Sequence, residues 1–197
     1  MSVSAPESAP LAPPAVQLAH CAADIVQLSP RRGAHAELQR FASGHALALP
    51  PCGRVARATA GLVLAVRPER WLLLAPAAEA GASAAYWQEL TRPCALAVDL
   101  SGAFTLLYLA GAGARALLTR GCRLDLDPQQ FAPGCAAATV IAQVPVTLAA
   151  VAHGLLLVTP ASTARHLQEW LSISARPSGL DRRADVTVHT LSGDATR

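Results

Sequence analysis

The chain has 197 residues, of which 52% are hydrophobic and 4% aromatic, and it carries a net charge of +3. That is enough apolar material for one domain of ordinary size, with a core of Leu, Val and Ala. All basic residues are arginine, scattered as Arg31–Arg32, Arg54 with Arg57, Arg67 with Arg70, and Arg182–Arg183; a nucleic-acid binder would show a basic stripe with stacking aromatics.

The start of the chain, residues 1–15, is rich in Ala, Pro and Ser without a basic opening, so it reads as a disordered leader and not as a signal peptide. Residues 16–175 read as one α+β domain made of two repeats, about 24–92 and 100–172. The first repeat opens with a strand at Ile25–Leu28. A helix follows at about Ala34–Ser43, with Ala34, Leu38 and Phe41 on one face. Extended segments are expected at Ala46–Leu49, Arg54–Ala58, Leu62–Val66 and Trp71–Pro76, and then a helix carrying Trp87 and Leu90. The second repeat runs in the same order. A strand at Phe104–Ala110 leads to a helix at about Ala112–Arg120. Segments at Leu124–Leu126, Ala136–Ile141, Val144–Ala149 and Leu155–Pro160 come next, and a helix at Ser162–Leu171 closes the unit. The runs WLLLAP and LLLVTP stand 84 residues apart, counted from Trp71 and Leu155. Two such units predict an internal duplication with pseudo-two-fold symmetry, whose strands need partners across the halves to bury both faces. Residues 176–197 are polar and lack a sustained apolar period, so a flexible tail is expected there.

The uncharged stretch from Pro128 to Ala164 is broken by Gln143, Pro145, Thr147, His153 and Gly154. Short buried strands fit it better than the roughly 20 continuous apolar residues of a spanning helix.

Few motifs suggest chemistry. Gly111-Ala112-Gly113-Ala114-Arg115-Ala116 matches the glycine turn of a dinucleotide site, but no acidic residue follows about 20 residues later in a second parallel strand. A turn whose glycines allow close packing is the expected role. Asp125 and Asp127 would share one face of a strand edge, and two carboxylates do not make a cation site. His166 and Glu169 lie three apart on a helix without a second pair, and His20, His35, His45, His153 and His189 share no motif. Five cysteines, Cys21, Cys52, Cys94, Cys122 and Cys135, are widely spaced without a CxxC, which argues against a disulfide framework or structural zinc. Cys122 lies between Arg120 and Arg123, yet it has no base at a recognisable spacing. Trp71, Trp87 and Trp170 sit in apolar runs as core or interface anchors. No catalytic, cofactor-binding or metal residue is assigned.

The run Ala116-Leu117-Leu118-Thr119-Arg120-Gly121-Cys122-Arg123-Leu124-Asp125-Leu126-Asp127-Pro128, followed by Phe131 and Gly134, resembles the central signature of the gamma subunit of heterotetrameric sarcosine oxidase. The closing LLLVTP strand with its helix ending in Trp170-Leu171, and the strand at Arg70–Pro76, are similar to that family as well. The resemblance covers about residues 24–172. It implies an α+β fold like the N-terminal part of the folate-binding aminomethyltransferase (glycine-cleavage T-protein). It also implies a non-catalytic structural subunit of a cytoplasmic complex with alpha, beta and delta partners. That complex oxidatively demethylates sarcosine to glycine, giving 5,10-methylenetetrahydrofolate and hydrogen peroxide. FAD, FMN, NAD, tetrahydrofolate and zinc would lie in the partner subunits, with no nucleic acid or membrane involved. Departures at Pro160-Ala161-Ser162 and at Cys135–Thr139 leave another N-methylated substrate open. The alternative is a free-standing folate-binding or aminomethyltransferase-like protein, for which Asp99 and Asp125 are the candidate carboxylates.

Overall fold

The computed structural model describes residues 15–58 and 61–191; of the expected leader, only its last residue falls within them. The elements are β1 (Val16–Ala22), β2 (Asp24–Pro30), α1 (His35–Gly44), β3 (Arg54–Ala58), β4 (Gly61–Arg67), β5 (Arg70–Ala75), α2 (Ala82–Thr91), β6 (Ala95–Asp99), β7 (Phe104–Ala110), α3 (Ala114–Leu118), β8 (Ala136–Ile141), β9 (Val144–Val151), β10 (Gly154–Pro160), α4 (Ala161–Ala175), a 3-10 turn (Arg176–Ser178), β11 (Leu180–Arg182), β12 (Val186–Thr187) and α5 (Val188–Leu191).

Two sheets result, in the orders β3-β4-β5-β2-β6 and β8-β9-β10-β7-β1, the second extended beyond β1 by β11 and β12. Each begins with the same antiparallel ladder, but the fifth strands are exchanged. β1 precedes the first repeat and pairs with β7, as in Leu18 opposite Leu109. β6 precedes the second and pairs with β2, as in Leu28 opposite Ala97. Each repeat therefore begins one strand earlier than its apolar pattern suggests. The partners needed across the halves are supplied by this exchange and by face-to-face packing.

The packing explains why the strands read as unbroken apolar runs. One face of the first sheet (Val26, Val63, Trp71, Leu73) packs on Leu38 and Ala42 of α1. One face of the second (Leu107, Leu109, Leu155, Leu157) packs on Leu117 and Leu118 of α3 and Leu167 and Leu171 of α4. The remaining faces meet each other through Ile25, Leu62, Leu64 and Leu74 against Leu106, Ala149 and Leu156. Four layers, α/β/β/α, thus bury both faces of the central strands, and alternation disappears.

The pseudo-two-fold axis passes between Arg54 and Cys135, which form an isolated antiparallel bridge. Its hydrogen bonds come in symmetric pairs. Val55 N–H donates to Gly134 O at 2.9 Å and Ala136 N–H donates to Gly53 O at 2.8 Å. Gly53 N–H donates to Ala65 O at 2.6 Å and Gly134 N–H donates to Ala150 O at 2.8 Å. A self-complementary contact of this kind is what a two-fold relation requires.

Three expectations are corrected. Ala46–Leu49 is not a strand; Leu47 is buried against α1 from a loop. Leu124–Leu126 is not a strand either, because the aspartates on both sides of Leu126 turn the chain, as described below. The expected flexible tail is structured over 176–191. There β11 and β12 run parallel to β1, and Val188 and Leu191 are buried between the sheets. With partly buried Leu180 and Val186 they anchor this segment at spacings too irregular to register as a period. Residues 192–197 lie outside the described residues.

Candidate functional site

The glycine turn at Gly111 has the backbone of a phosphate cradle, and the chain fills it itself. Gly111 has φ +94°, and a Cβ there would stand 2.5 Å from the carbonyl oxygen of Ala15. Gly113 N–H donates to that same oxygen at 2.8 Å. The helix that follows covers only Ala114–Leu118, and β7 lies in an antiparallel ladder between β1 and β10, so there is no parallel βαβ unit to present a pyrophosphate. The glycines admit the entry of β1 into the second sheet.

The segment from Ala116 to Gly134 is similarly occupied with packing. A Cβ on Gly121 would meet Trp170 Cζ2 at 2.6 Å, so the absence of a side chain is what seats the indole of α4 on this turn. Arg120 Nη1 donates to Ser174 O at 2.6 Å, satisfying a carbonyl at the C-terminal end of α4. Arg115 Nη1 donates to Leu126 O at 2.8 Å. Leu117, Leu118, Leu126 and Phe131 are buried together under the second sheet.

The carboxylates are used locally. Asp125 Oδ1 accepts from Asp127 N–H at 2.9 Å, and Asp127 Oδ1 accepts from Gln129 N–H at 2.8 Å, two successive side-chain turns on an exposed loop. Asp99 accepts from Ser101 N–H at 2.9 Å, and this backbone donor holds its carboxyl below the usual range. Glu169 pairs with Arg165 at 3.0 Å, not with His166. Among the described residues no three His, Cys, Asp or Glu side chains are grouped to hold a metal ion.

Cys122 is buried, its Sγ 3.7 Å from Thr139 Oγ1. Burial, with a smaller contribution from Asp185, pushes the Cys21 thiol from 9.0 up to about 12, and burial also raises Cys94. Such thiols stay protonated at neutral pH and are poor nucleophiles. Cys52 is exposed.

Two arrangements are not visible in the spacing. Asp24, buried at the start of β2, accepts a 2.5 Å hydrogen bond from Ser83 Oγ in the first turn of α2, and so ties sheet to helix. His35 stacks on Trp71, with ring centroids 6.0 Å apart, and its Nδ1 is 3.4 Å from Glu69 Oε1. Both line an open cavity of about 440 Å³ with Cys52 and Arg67. Trp71 donates through Nε1 to Pro50 O at 2.9 Å and is an internal anchor, whereas Trp87 packs edge-on against exposed Tyr86.

Comparison with known proteins agrees with this arrangement. The family described as sarcosine oxidase, gamma subunit family matches residues 34–175. A chain of heterotetrameric sarcosine oxidase from Corynebacterium sp. U-96, solved in complex with pyrrole 2-carboxylate, superposes with a TM-score of 0.71 at 27% identity, over 82% of this chain and 84% of that one. The glycine cleavage system aminomethyltransferase T from Bartonella henselae shares the fold at TM-score 0.61 and 17% identity, covering 86% of this chain and 48% of that one. No curated protein sequence matches. Among the described residues, no helix is long and apolar enough to cross a membrane.

Proposed function

The chain belongs to the sarcosine oxidase gamma subunit family, and we propose that it is a non-catalytic structural subunit of a sarcosine oxidase-like complex. In this reading the complex demethylates sarcosine to glycine in the cytoplasm, with production of 5,10-methylenetetrahydrofolate and hydrogen peroxide. FAD, FMN, NAD, tetrahydrofolate and zinc reside in its alpha, beta and delta partners.

The observation that carries the reading is the fate of the signature around Gly121. Arg120 and Gly121 fix the turn after α3 onto α4, and Asp125 and Asp127 fold the following loop onto its own backbone. A sequence kept for packing, in a chain with exposed apolar residues at Leu96, Val98, Val140 and Ile173, suits a permanent assembly. A folate enzyme would need a carboxylate presented to the pterin and amine, and both Asp99 and Asp125 are bent onto their own backbone.

Co-expression with the candidate partner chains tests this. The expected result is a co-purifying assembly with sarcosine oxidase activity, and a lone chain that is oligomeric or poorly soluble. A stable monomer that ignores those chains refutes it. Submillimolar binding of tetrahydrofolate to the purified chain, read by calorimetry, would favour the folate-binding alternative.

A further inference from the structure

The two-fold relation between the sheets is broken at one place. Leu62 stands opposite Leu74 in the first sheet, and Thr147 stands opposite Val158 in the second; counted from the WLLLAP and LLLVTP strands, these pairs are equivalent. At the first pair the layer between the sheets is closed by the chain's own C-terminal segment. Val188 and Leu191 of α5 are buried there beside Leu62 and Leu74, and Val188 Cγ1 lies 3.2 Å from the Cβ position of Gly61. At the second pair nothing from the described chain enters. An open cleft of about 320 Å³ remains, walled by Leu72 and Gln27 on one sheet and Phe104, Thr147 and Val158 on the other.

The rim of this cleft is apolar and one-sided in charge. Val98 is paired with Gln27 across β6 and β2, and Val140 is paired with Pro145 across β8 and β9. Residues directly opposite on an antiparallel pair share a face, so both valines extend the cleft walls. They are 47% and 49% exposed, respectively. The β4–β5 hairpin adds the charge. A register shift between Ala65 and Arg67 sets Arg67 opposite Arg70; both line the cleft, and Arg67 also borders the cavity beside His35. Like charges placed directly opposite repel, and neither arginine has an ion pair or hydrogen bond among the described residues. The carboxylate between them in sequence, Glu69, has its Oε1 3.4 Å from His35 Nδ1 and forms no ion pair with either arginine among the described residues.

We propose that this cleft receives a short segment of a partner subunit, one that inserts two apolar side chains between the sheets, as Val188 and Leu191 do at the equivalent site, and presents a carboxylate to Arg67 and Arg70. The inference rests on the chain being a subunit of a complex and names the surface and the chemistry of its partner. The filled twin site shows that the fold accepts a peptide segment between its sheets. The unpaired arginines supply the charge complementarity that fixes the segment's sign.

The test uses the co-expressed complex with an affinity-tagged partner. The double variant Arg67→Glu, Arg70→Glu is expected to reduce co-purification of this chain at least tenfold. Arg165→Glu, on the exposed surface of α4, is expected to leave it unchanged, with circular dichroism showing both variants folded. A benzophenone photo-crosslinker at Val140 is expected to join a partner peptide that has Asp or Glu within a few residues of two apolar side chains. Wild-type assembly of the double variant would overturn the inference, as would crosslinking only to a second copy of the chain or to residues 1–14 of the same chain. Each of these outcomes leaves the subunit reading standing. A wild-type chain that assembles with no partner overturns both.

Discussion

Replacing Gly111 by alanine separates a packing role for the glycine turn from a ligand-binding one. The backbone there has φ +94°, and the new Cβ would lie 2.5 Å from Ala15 O and 3.1 Å from Ala15 C, backbone atoms that cannot swing away. Holding a side chain in the left-handed region costs about 1–2 kcal/mol. Forcing an extra carbon into a filled site costs about 1–3 kcal/mol. The variant is therefore expected to lose roughly 3 kcal/mol, which in a domain of this size lowers Tm by about 6–12 °C. Thermal melts followed by far-UV circular dichroism at low protein concentration measure it. Gly102→Ala is the control, since a Cβ there meets nothing within 4 Å. A shift in Gly111→Ala no larger than in the control would mean that β1 does not enter the second sheet at Ala15, and the packing account of the turn would fail.

Four other outcomes follow from the same structure. Leu156→Ala, in the fully buried layer between the sheets, is expected to cost about 2–5 kcal/mol, read as a fall in the urea midpoint, while Leu96→Ala on the exposed face of β6 stays within about 0.5 kcal/mol. Iodoacetamide at pH 8 is expected to label Cys52 rapidly and Cys21 only on unfolding, as read by mass spectrometry of tryptic peptides. The folded Cys21 thiol titrates near 12 against an ordinary 9.0, so its contribution to stability is complete below about pH 9 and is lost as the pH rises towards 12; melts across that window report it. Arg120→Ala removes the exposed hydrogen bond to Ser174 O and is expected to cost about 0.5–1.5 kcal/mol.

Much of the fold is legible along the chain because its strongest local signals are long apolar runs with turn residues between them. WLLLAP and LLLVTP reveal both the duplication and the deep burial. What the pattern hides is exchanged or weakly apolar. β6 reads ALAVD, with only Ala95 buried, and β1 contains His20 and Gln17; each is defined by a partner strand in the other repeat, a long-range fact with no local trace. Asp125-Leu126-Asp127 alternates like a strand, but each aspartate accepts a hydrogen bond from the backbone N–H two residues on, which favours a turn, a competition known for this residue type. The contacts of Gly121 with Trp170 and of Gly111 with Ala15 are equally long-range. Glycine at these positions signals close approach, but which group approaches is set by the tertiary fold.

The break in symmetry has a consequence for assembly. A chain obeying its two-fold relation throughout would present two equal openings between its sheets and bind two copies of any segment that fits one. Here residues 180–191 close one opening, through β11 and β12 along β1 and α5 against Leu62 and Leu74. Among the described residues, the cleft beside Arg67 and Arg70 is the equivalent opening that this segment leaves unfilled. On the proposed mode of docking, a duplicated fold is thereby limited to one partner in one orientation. Removing the plug separates the two sites: deleting residues 180–197 is expected to expose the apolar surface around Leu62 and Leu74, lowering stability and solubility, while the Arg67/Arg70 cleft keeps its walls, since none of its lining residues lies beyond Pro160. If the truncated chain still folds by circular dichroism, it should still co-purify with the tagged partner, and the crosslinker at Val140 should still reach the same peptide. Loss of that crosslink in a folded truncation would show that the C-terminal segment, and not the cleft, makes the contact.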